Sequence, residues 1–322
     1  MNIQIIATES LGVRSMCCYV ETAARKILID PGIALGHTRY GLHPHPYQVA
    51  VGEIIKKRIM DKWSEATDVV ISHFHGDHIP LIDANPYQLD LKKLVGSNPD
   101  IRIWTRDSSS LSIIEKKRAE AISSVLKKDL IEAEGKENGV LAFSKHMPHG
   151  ESKNGSANVM MTKVEEDKIF VHASDIQLLN DEAVLQILDW RPDIVFVDGP
   201  PLYLSKSLSK KQIGKAWDNA VKLSQKIYWL IIDHHLMRSF EGESWLGYLF
   251  AVTGKKVMCG ADFMGEPRIL LEARRKILYE DMDVPQNWHK MYASGRVKTG
   301  HYIKMAKDIY GNKKTGGKIA GI

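Results

Sequence analysis

Ser72-His73-Phe74-His75-Gly76-Asp77-His78 sets three imidazoles and a carboxylate within seven residues, directly after the apolar run Val69-Val70-Ile71. A short apolar run of this kind reads as a buried strand. In extended backbone alternate side chains point the same way, so His73 and His75 can converge on one cation. Asp77 and His78 stand one step further round the bend and can face a second cation beside it. Imidazole nitrogens and a carboxylate oxygen suit Zn²⁺, and also Mn²⁺ or Fe. A run of solvated loop histidines is the bland alternative. Four potential ligands at this spacing after a strand argue against it.

Upstream, Ile3–Ala7, Met16–Val20 and Lys26–Ile29 read as short strands, and Asp30-Pro31-Gly32 stops the third. A loop bearing His37, Arg39, Tyr40, His43 and His45 then leads to a helix predicted over Gln48–Trp63. Asp68–Ser72 is the strand that delivers the histidine cluster. Downstream, Ile101–Thr105 is a strand and Ser110–Lys128 a helix. Val140–Ser144, Asn158–Val164 and Lys168–His172 follow as three strands. Helices over Asp181–Asp189, Ser207–Gln225, Glu243–Val252 and Pro267–Tyr279 then alternate with strands Ile194–Val197, Ile227–Ile232 and Lys256–Cys259. A strand-rich opening followed by β/α alternation implies sheets covered by helices, which excludes all-helical and all-β architectures.

Composition agrees with a folded globular chain: hydrophobic residues make up 44% and charged residues 26% of 322, enough for a sizeable core. Three cysteines cannot build a disulfide framework, and Cys17, Cys18 and Cys259 sit in apolar runs, so they read as reduced and buried. With no signal-like start and no apolar stretch of membrane-spanning length, the expectation is a cytoplasmic protein without membrane contact. From Arg296 onward seven Lys or Arg face only Asp308, a net +6 against +5 for the whole chain, so the remainder carries −1. The expected organisation is one domain over residues 1–298, followed by a basic C-terminal tail or terminal helix over 299–322.

The run His-Phe-His-Gly-Asp-His resembles the signature of the metallo-β-lactamase superfamily, and further positions of that pattern follow in order. Asp30, closing a strand, resembles its first acidic position, which supports the ligands. His149 in Met147-Pro148-His149-Gly150 resembles the next metal histidine, with His146 three residues earlier as a competitor. Asp175 resembles the carboxylate that bridges two metals, and His234 or His235 the final ligand, with His234 preferred because it follows its strand as His73 does. The stretches Glu9–Ser15 and Asp198-Gly199-Pro200-Pro201 resemble an uncharacterised, mainly archaeal branch of predicted metal-dependent hydrolases within it.

That resemblance implies an α/β, four-layer αββα sandwich of two mixed β-sheets, with the metals at one sheet edge. It implies that His73, His75 and His149 hold one divalent transition-metal ion. Asp77, His78 and His234 hold another, with Asp175 between them. Zn is the first expectation, with Mn or Fe as alternatives. Asp30, Asp77 and His235 form the expected catalytic group, Asp30 by orienting an imidazole and His235 as an acid catalyst or supporting neighbour. Two such ions lower the pKa of a water enough to supply hydroxide for hydrolysis. The fold alone does not select the substrate. Small phosphodiesters or nucleotide-like molecules come first, because a basic tail and an Arg- and His-bearing loop suit an anion. Alternatives are a lactone or thioester hydrolase, a di-iron oxidoreductase and a non-catalytic metal-binding protein.

Among weaker signals, His37, His43 and His45 can contact substrate or form a further metal site, although a structural or solvated loop is the simpler reading. Asp198 belongs either to a stiff active-site loop or to a plain turn, and His172 reads as a hydrogen-bonded core residue. The basic tail is expected to be an exposed appendage that attracts RNA or DNA, against the simpler role of keeping the terminus soluble. Phosphate neutralisation by lysines makes such binding strongly salt-dependent. If the tail binds, nucleic-acid affinity measured at low and moderate salt should fall in a chain ending near Gly300. Equal affinity in both chains, or none in either, removes the idea.

Overall fold

The computed structural model describes residues 1–150, 157–204, 208–254 and 256–310. Its first sheet holds β1 (Asn2–Thr8), β2 (Met16–Glu21), β3 (Lys26–Ile29), β4 (Asp68–Val70), β5 (Arg102–Thr105) and β6 (Leu130–Glu132), in that spatial order. β1 to β3 pair antiparallel, and β3 to β6 pair parallel. The second sheet holds β7 (Glu137–Asn138), β8 (Leu141–Pro148), β9 (Asn158–Glu165), β10 (Ile169–Ser174), β11 (Ile194–Val197), β12 (Trp229–Ile232) and β13 (Val257–Met258), again in chain order. It is antiparallel up to β10 and parallel from β10 to β13. Parallel neighbours need crossover connections, and helices supply most of them. These are α1 (Pro46–Glu65), α2 (Ile113–Leu126), α3 (Asp181–Asp189), α4 (Lys210–Ser224) and α5 (Phe240–Thr253). Shorter helices close the chain: α6 (Gly260–Met264), α7 (Arg275–Asp281), α8 (Trp288–Ala293) and α9 (Gly300–Tyr310). The architecture is thus the expected mixed α/β sandwich of two mixed sheets.

Alternation along β2 shows why both faces of the first sheet are covered. Met16, Cys18 and Val20 enter the core shared with the second sheet, whereas Cys17 and Tyr19 enter the core beneath α1. β3 and β4 divide in the same way, with Ile29 and Val70 on the first side and Leu28 and Val69 on the second. β11 is buried along its whole length and packs, with Ala216, Ala220 and Leu223 of α4, into one continuous apolar cluster. No helix among the described residues is long and apolar enough to cross a membrane.

Several sequence expectations are corrected here. The helix predicted over Pro267–Tyr279 begins only at Arg275. Before it the chain is extended enough for the Ile269 amide to donate to the Ser10 carbonyl at 2.8 Å, and Ile269 and Leu271 are buried there. Packing against the 9–13 segment outweighs local helix propensity. The strand predicted over Val140–Ser144 runs on to Pro148 and so carries the chain up to His149. α2 and α4 start at Ser112 and Ser209, each a reciprocal Ser/Glu or Ser/Gln cap, rather than a few residues earlier. Ser207 itself lies outside the described residues.

Of the tail or terminal helix expected over 299–322, the described part is a helix, which corrects only the reading of an exposed appendage from Thr299. Gly300–Tyr310 form α9, which docks on α1 with Tyr302, Ala306 and Tyr310 buried. The Tyr310 hydroxyl donates to Asp281 Oδ2 at 2.8 Å. Lys313, Lys314 and Lys318 lie outside the described residues. A chain ending at Gly300 therefore loses a packed helix, and the cut for a nucleic-acid comparison belongs after Tyr310. Tyr302→Ala is expected to lower stability by about 3 kcal/mol, the usual scale for emptying a buried aromatic site. Chemical denaturation of the full chain measures it; a loss below about 1 kcal/mol would mean that α9 contributes little to the core.

Candidate metal centre

The two sheets bring their strand ends together at one rim. Asp30 follows β3, Ser72 and the histidine cluster follow β4, Asp175 follows β10, Asp198 follows β11 and Asp233 follows β12. Asp30, Ser174 and His234 have left-handed backbones, with φ of 49°, 56° and 33°. Such turns cost non-glycine residues about 1 kcal/mol or more each, and they swing the side chains out of the strand direction into the rim.

Ser72 organises the first group. Its amide donates to Asp30 Oδ1 at 2.8 Å and its hydroxyl to Asp30 Oδ2 at 2.6 Å. The same hydroxyl oxygen stands 3.0 Å from His73 Nδ1 and 2.7 Å from Ser174 Oγ. With its proton committed to Asp30, Ser72 can only accept from His73 Nδ1–H, which leaves the Nε2 lone pair of His73 pointing into the rim. His78 is arranged alike: Nδ1 donates to Asp30 Oδ2 at 2.8 Å, and its buried Nε2 has no hydrogen-bond partner. His235 repeats the pattern from the second sheet, with Nδ1 2.7 Å from Asp198 Oδ2.

These nitrogens surround one carboxylate oxygen. Asp175 Oδ2 lies 3.2 Å from His149 Nε2, 3.3 Å from His78 Nε2, and 3.7 Å from both His73 Nε2 and His235 Nε2. His75 joins through Nδ1, which is 3.0 Å from His73 Nε2. One oxygen cannot satisfy four nitrogens by hydrogen bonding. His78 Nε2, His149 Nε2 and Asp175 Oδ1 are buried without hydrogen-bond partners, which is costly for polar atoms unless something else engages them. The donor set and its convergence fit a transition-metal ion: ligand atoms of His73, His75, His149 and Asp175 lie within 4.8 Å of one another, as do those of Asp77, His78 and His234, and those of Asp175, His234 and His235.

Charge at the rim follows from burial and neighbours. Burial, with His78 and His75 nearby, keeps His73 neutral well below the usual imidazole range, and burial and His149 also lower His75. Burial and Arg238 hold His234 down, and burial likewise holds His235 down. Burial also opposes a charged His78, but Asp175 and Asp30 on either side outweigh it and raise its pKa well above the usual value. The Asp175 carboxyl is held well below its range because His78 and His235 overcome its burial. Asp198 is raised by burial and by Asp175; a cation at His235 Nε2 would favour a proton on Nδ1, facing Asp198.

The remaining predicted residues fall as follows. Asp77 stands across the rim, Oδ2 3.5 Å from His234 Nε2. His146 is exposed, pairs with Glu134 at 3.2 Å and stands apart from the cluster that holds His149. His172 Nε2 donates to the Met16 carbonyl at 2.9 Å, as a buried core residue. His45 caps α1 by accepting the Tyr47 amide at 3.1 Å, and His43 and His37 pack edge to face, apart from the ligand clusters. Sequence reading missed Arg238, which donates to Asp77 and His234, and the arginine group behind it. Arg14 forms a short ion pair with Glu272, Arg39 lies 3.5 Å and Arg275 3.7 Å from the same carboxylate, and Arg238 lies 3.2 Å from Glu9. Of that group sequence reading singled out only Arg39, in the Arg- and His-bearing loop; the others' signal was the Glu9–Ser15 stretch and a lone arginine four residues past His234.

No family profile matches the chain. It is 44% identical over 307 residues to a UPF0282 protein of Methanosarcina mazei, covering 94% of this chain and 100% of that one. UPF0282 proteins of Pyrococcus furiosus and Methanocaldococcus jannaschii are 31% and 33% identical over 302 residues each, covering 89% and 88% of this chain and 96% and 98% of theirs. Among solved structures, the E377D mutant of the CmlA β-hydroxylase matches at 12% identity over 77% of this chain, with a TM-score of 0.45. This chain spans about half the length of that structure, 51%, and the likeness is too slight to carry an argument.

Gly32 shows how tightly the rim is built. A Cβ there would collide with the backbone of His78 and the Ile79 amide, so the 30–32 turn must pass against the histidine segment. Gly32→Ala is expected to displace His78 and cut metal affinity by about 10–100-fold, the range for disturbing a ligand's support. Competition with a chromophoric chelator measures it; unchanged affinity in a folded variant would show that His78 does not contribute to metal binding.

Proposed function

The chain belongs to the UPF0282 family, and we propose that it is a metal-dependent hydrolase of small anionic substrates, phosphodiesters or nucleotide-like molecules first. One observation carries this reading: the convergence of four imidazole nitrogens on Asp175 Oδ2, with buried His78, His149 and Asp175 atoms left without hydrogen-bond partners. Divalent ions held there, Zn²⁺ or alternatively Mn²⁺ or Fe, would lower the pKa of a water and polarise the group under attack. His73, His75, His149 and Asp175 would hold the first ion. Asp77, His78 and His234 or His235 would form the second position. Asp30 and Ser72 keep the His78 and His73 rings in the tautomers that turn Nε2 inward. Asp198 does the same for His235, which can also return a proton to a leaving group if a metal does not claim its Nε2.

Preference for an anion rests on the arginines beside this rim. Arg14, Arg39, Arg238 and Arg275 meet three carboxylates, Glu9, Glu272 and Asp77, the last through Arg238. Burial and Glu272 push Glu9 up to about 8, so it is largely protonated at neutral pH. Arg14 outweighs burial at Glu272 and holds it at about 2. The group therefore keeps an excess of positive charge. Tyr203 lies between Arg39, Arg238 and His235, with Arg39 and Arg238 over its ring at 5.2 and 5.5 Å. Such a surface favours phosphate over an uncharged lactone or thioester.

A hydrolysis panel of phosphodiesters, lactones and thioesters, run on protein of known metal content, tests the reading. Phosphodiester turnover that a chelator removes is expected. Asp175→Ala should abolish it, while Asp30→Ala should cost about 10–100-fold. Metal-loaded protein that cleaves nothing in the panel, or Asp175→Ala with full turnover, would overturn it.

A further inference from the structure

Residues 39–42 make a two-residue hairpin turn beside the rim. The Arg39 amide donates to the Leu42 carbonyl at 3.0 Å, and the Leu42 amide returns to the Arg39 carbonyl at 2.9 Å. Tyr40 and Gly41, at its corner, both have positive φ, 55° and 76°. A turn of this kind favours Asn, Asp or Gly at its corner positions, because a larger side chain is strained there. Tyr40 is therefore a poor choice for folding, and burial does not compensate, since the residue is 54% exposed. Strained residues of this sort gather at ligand-binding sites. Arg39 holds the hydroxyl end of the side chain: its Nη2 donates to the Tyr40 hydroxyl at 3.4 Å, and its Cζ lies 5.0 Å from the ring centre. The same guanidinium donates to the Arg238 carbonyl at 2.8 Å and lies 5.2 Å from the Tyr203 ring, which stands 6.3 Å from the His235 ring. Tyr40, Arg39, Tyr203 and His235 thus form a row from solvent to the rim. Leu204, beside Tyr203, and Phe240, two residues past Arg238, are also exposed. The 202–204 turn that carries Tyr203 packs on the 236–238 turn and on α5.

We infer that Tyr40 is a stacking platform for a nucleobase, so that the substrate is a nucleotide or oligonucleotide rather than a simple phosphodiester. The inference rests on the anionic-substrate reading above and narrows it. Charge reaches the surface next to the ring, because the Arg14 and Arg39 side chains keep 25% and 12% of their area open to solvent. A planar ring joined to a phosphate matches an exposed aromatic beside guanidinium groups. An uncharged ester would leave the arginines without a counter-charge, and a bare phosphate would leave Tyr40 without a partner. Stacking uses the π-face that every base presents, so purines and pyrimidines are both accepted and the site reads a base without reading its identity. Tyr40 touches no reacting atom in this arrangement. It sets which substrates bind, through KM, and leaves the chemical step to the rim.

Calorimetric binding of adenosine 5′-monophosphate, ribose 5-phosphate and butyl phosphate to the full chain tests this without an activity assay. The three ligands share a phosphate and differ in carrying a base, a sugar alone or an apolar chain. Wild-type protein is expected to bind the nucleotide about 5–100-fold more tightly than ribose 5-phosphate, the range for one base on one aromatic side chain. Tyr40→Asn suits the turn and should fold at least as well as wild type. It should remove that advantage while leaving the affinity for ribose 5-phosphate unchanged, whereas a merely structural role would weaken both ligands alike. Tyr40→Phe keeps the ring and should keep the advantage. Should the Asn variant not fold, the wild-type comparison still decides. Equal binding of nucleotide and ribose 5-phosphate, butyl phosphate as tight as the nucleotide, an advantage that survives Tyr40→Asn, or no binding of any of the three would overturn the inference. None of these outcomes touches chelator-sensitive phosphodiester turnover, so the hydrolase reading stands or falls by its own panel.

Discussion

Ser72 joins parts of the molecule that the chain keeps far apart. Its hydroxyl touches Asp30 at the end of β3, His73 on its own segment and Ser174 at the end of β10 in the other sheet. Three groups share one oxygen and its proton, all of them buried, so their orientations are not independent. Asp30 passes the constraint on to His78, and Ser174 stands immediately before Asp175. The edges of both sheets are thereby held at one separation, and the imidazoles that face Asp175 inherit it. Apolar packing between the sheets supplies the bulk of the stability, but it is non-directional and could not by itself fix side-chain positions to within an ångström.

How far this could be read beforehand depended on locality. Residues 72–78 announced themselves because potential donors crowd one short segment after one strand, and the order Asp30, His149, Asp175, His234 followed the family resemblance. The sandwich was legible because its strands are short, apolar and separated by clear breaks. What escaped were groups whose roles exist only in three dimensions. Ser72 and Ser174 are ordinary residues until they meet. Arg238 looks like any surface arginine, and Glu272 sits in the turn between the Ile269 segment, which packs on residues 9–13, and the helix that begins at Arg275. The choice between His234 and His235 was open in sequence because adjacent residues share a strand end. Structure separates them by their partners, Arg238 for one and Asp198 for the other.

The rim shares a design principle with many polar sites held in apolar surroundings. Three of the inward nitrogens are matched by an outward hydrogen bond on the other ring nitrogen: Ser72 for His73, Asp30 for His78, Asp198 for His235. Tautomers are thus set by groups that never face the cleft. Left-handed turns at Asp30, Ser174 and His234 add strain that such hydrogen bonds and the surrounding core must hold in place.

The donors of the rim are spread from residue 30 to residue 235, and both sheets contribute. No early fragment of the chain can assemble it. During synthesis, His73, His75 and His78 emerge on the order of ten seconds or more before His235, at ordinary elongation rates. In that interval the first sheet lacks its partner, and its imidazoles are open to any metal the cell offers, in geometries unlike the final one. Closing so long a loop is entropically slow, and the order of chain emergence works against early selection of the right ion. Correct loading would thus belong to the finished fold: an ion that bound only the native rim, once both sheets have closed, would also hold them together.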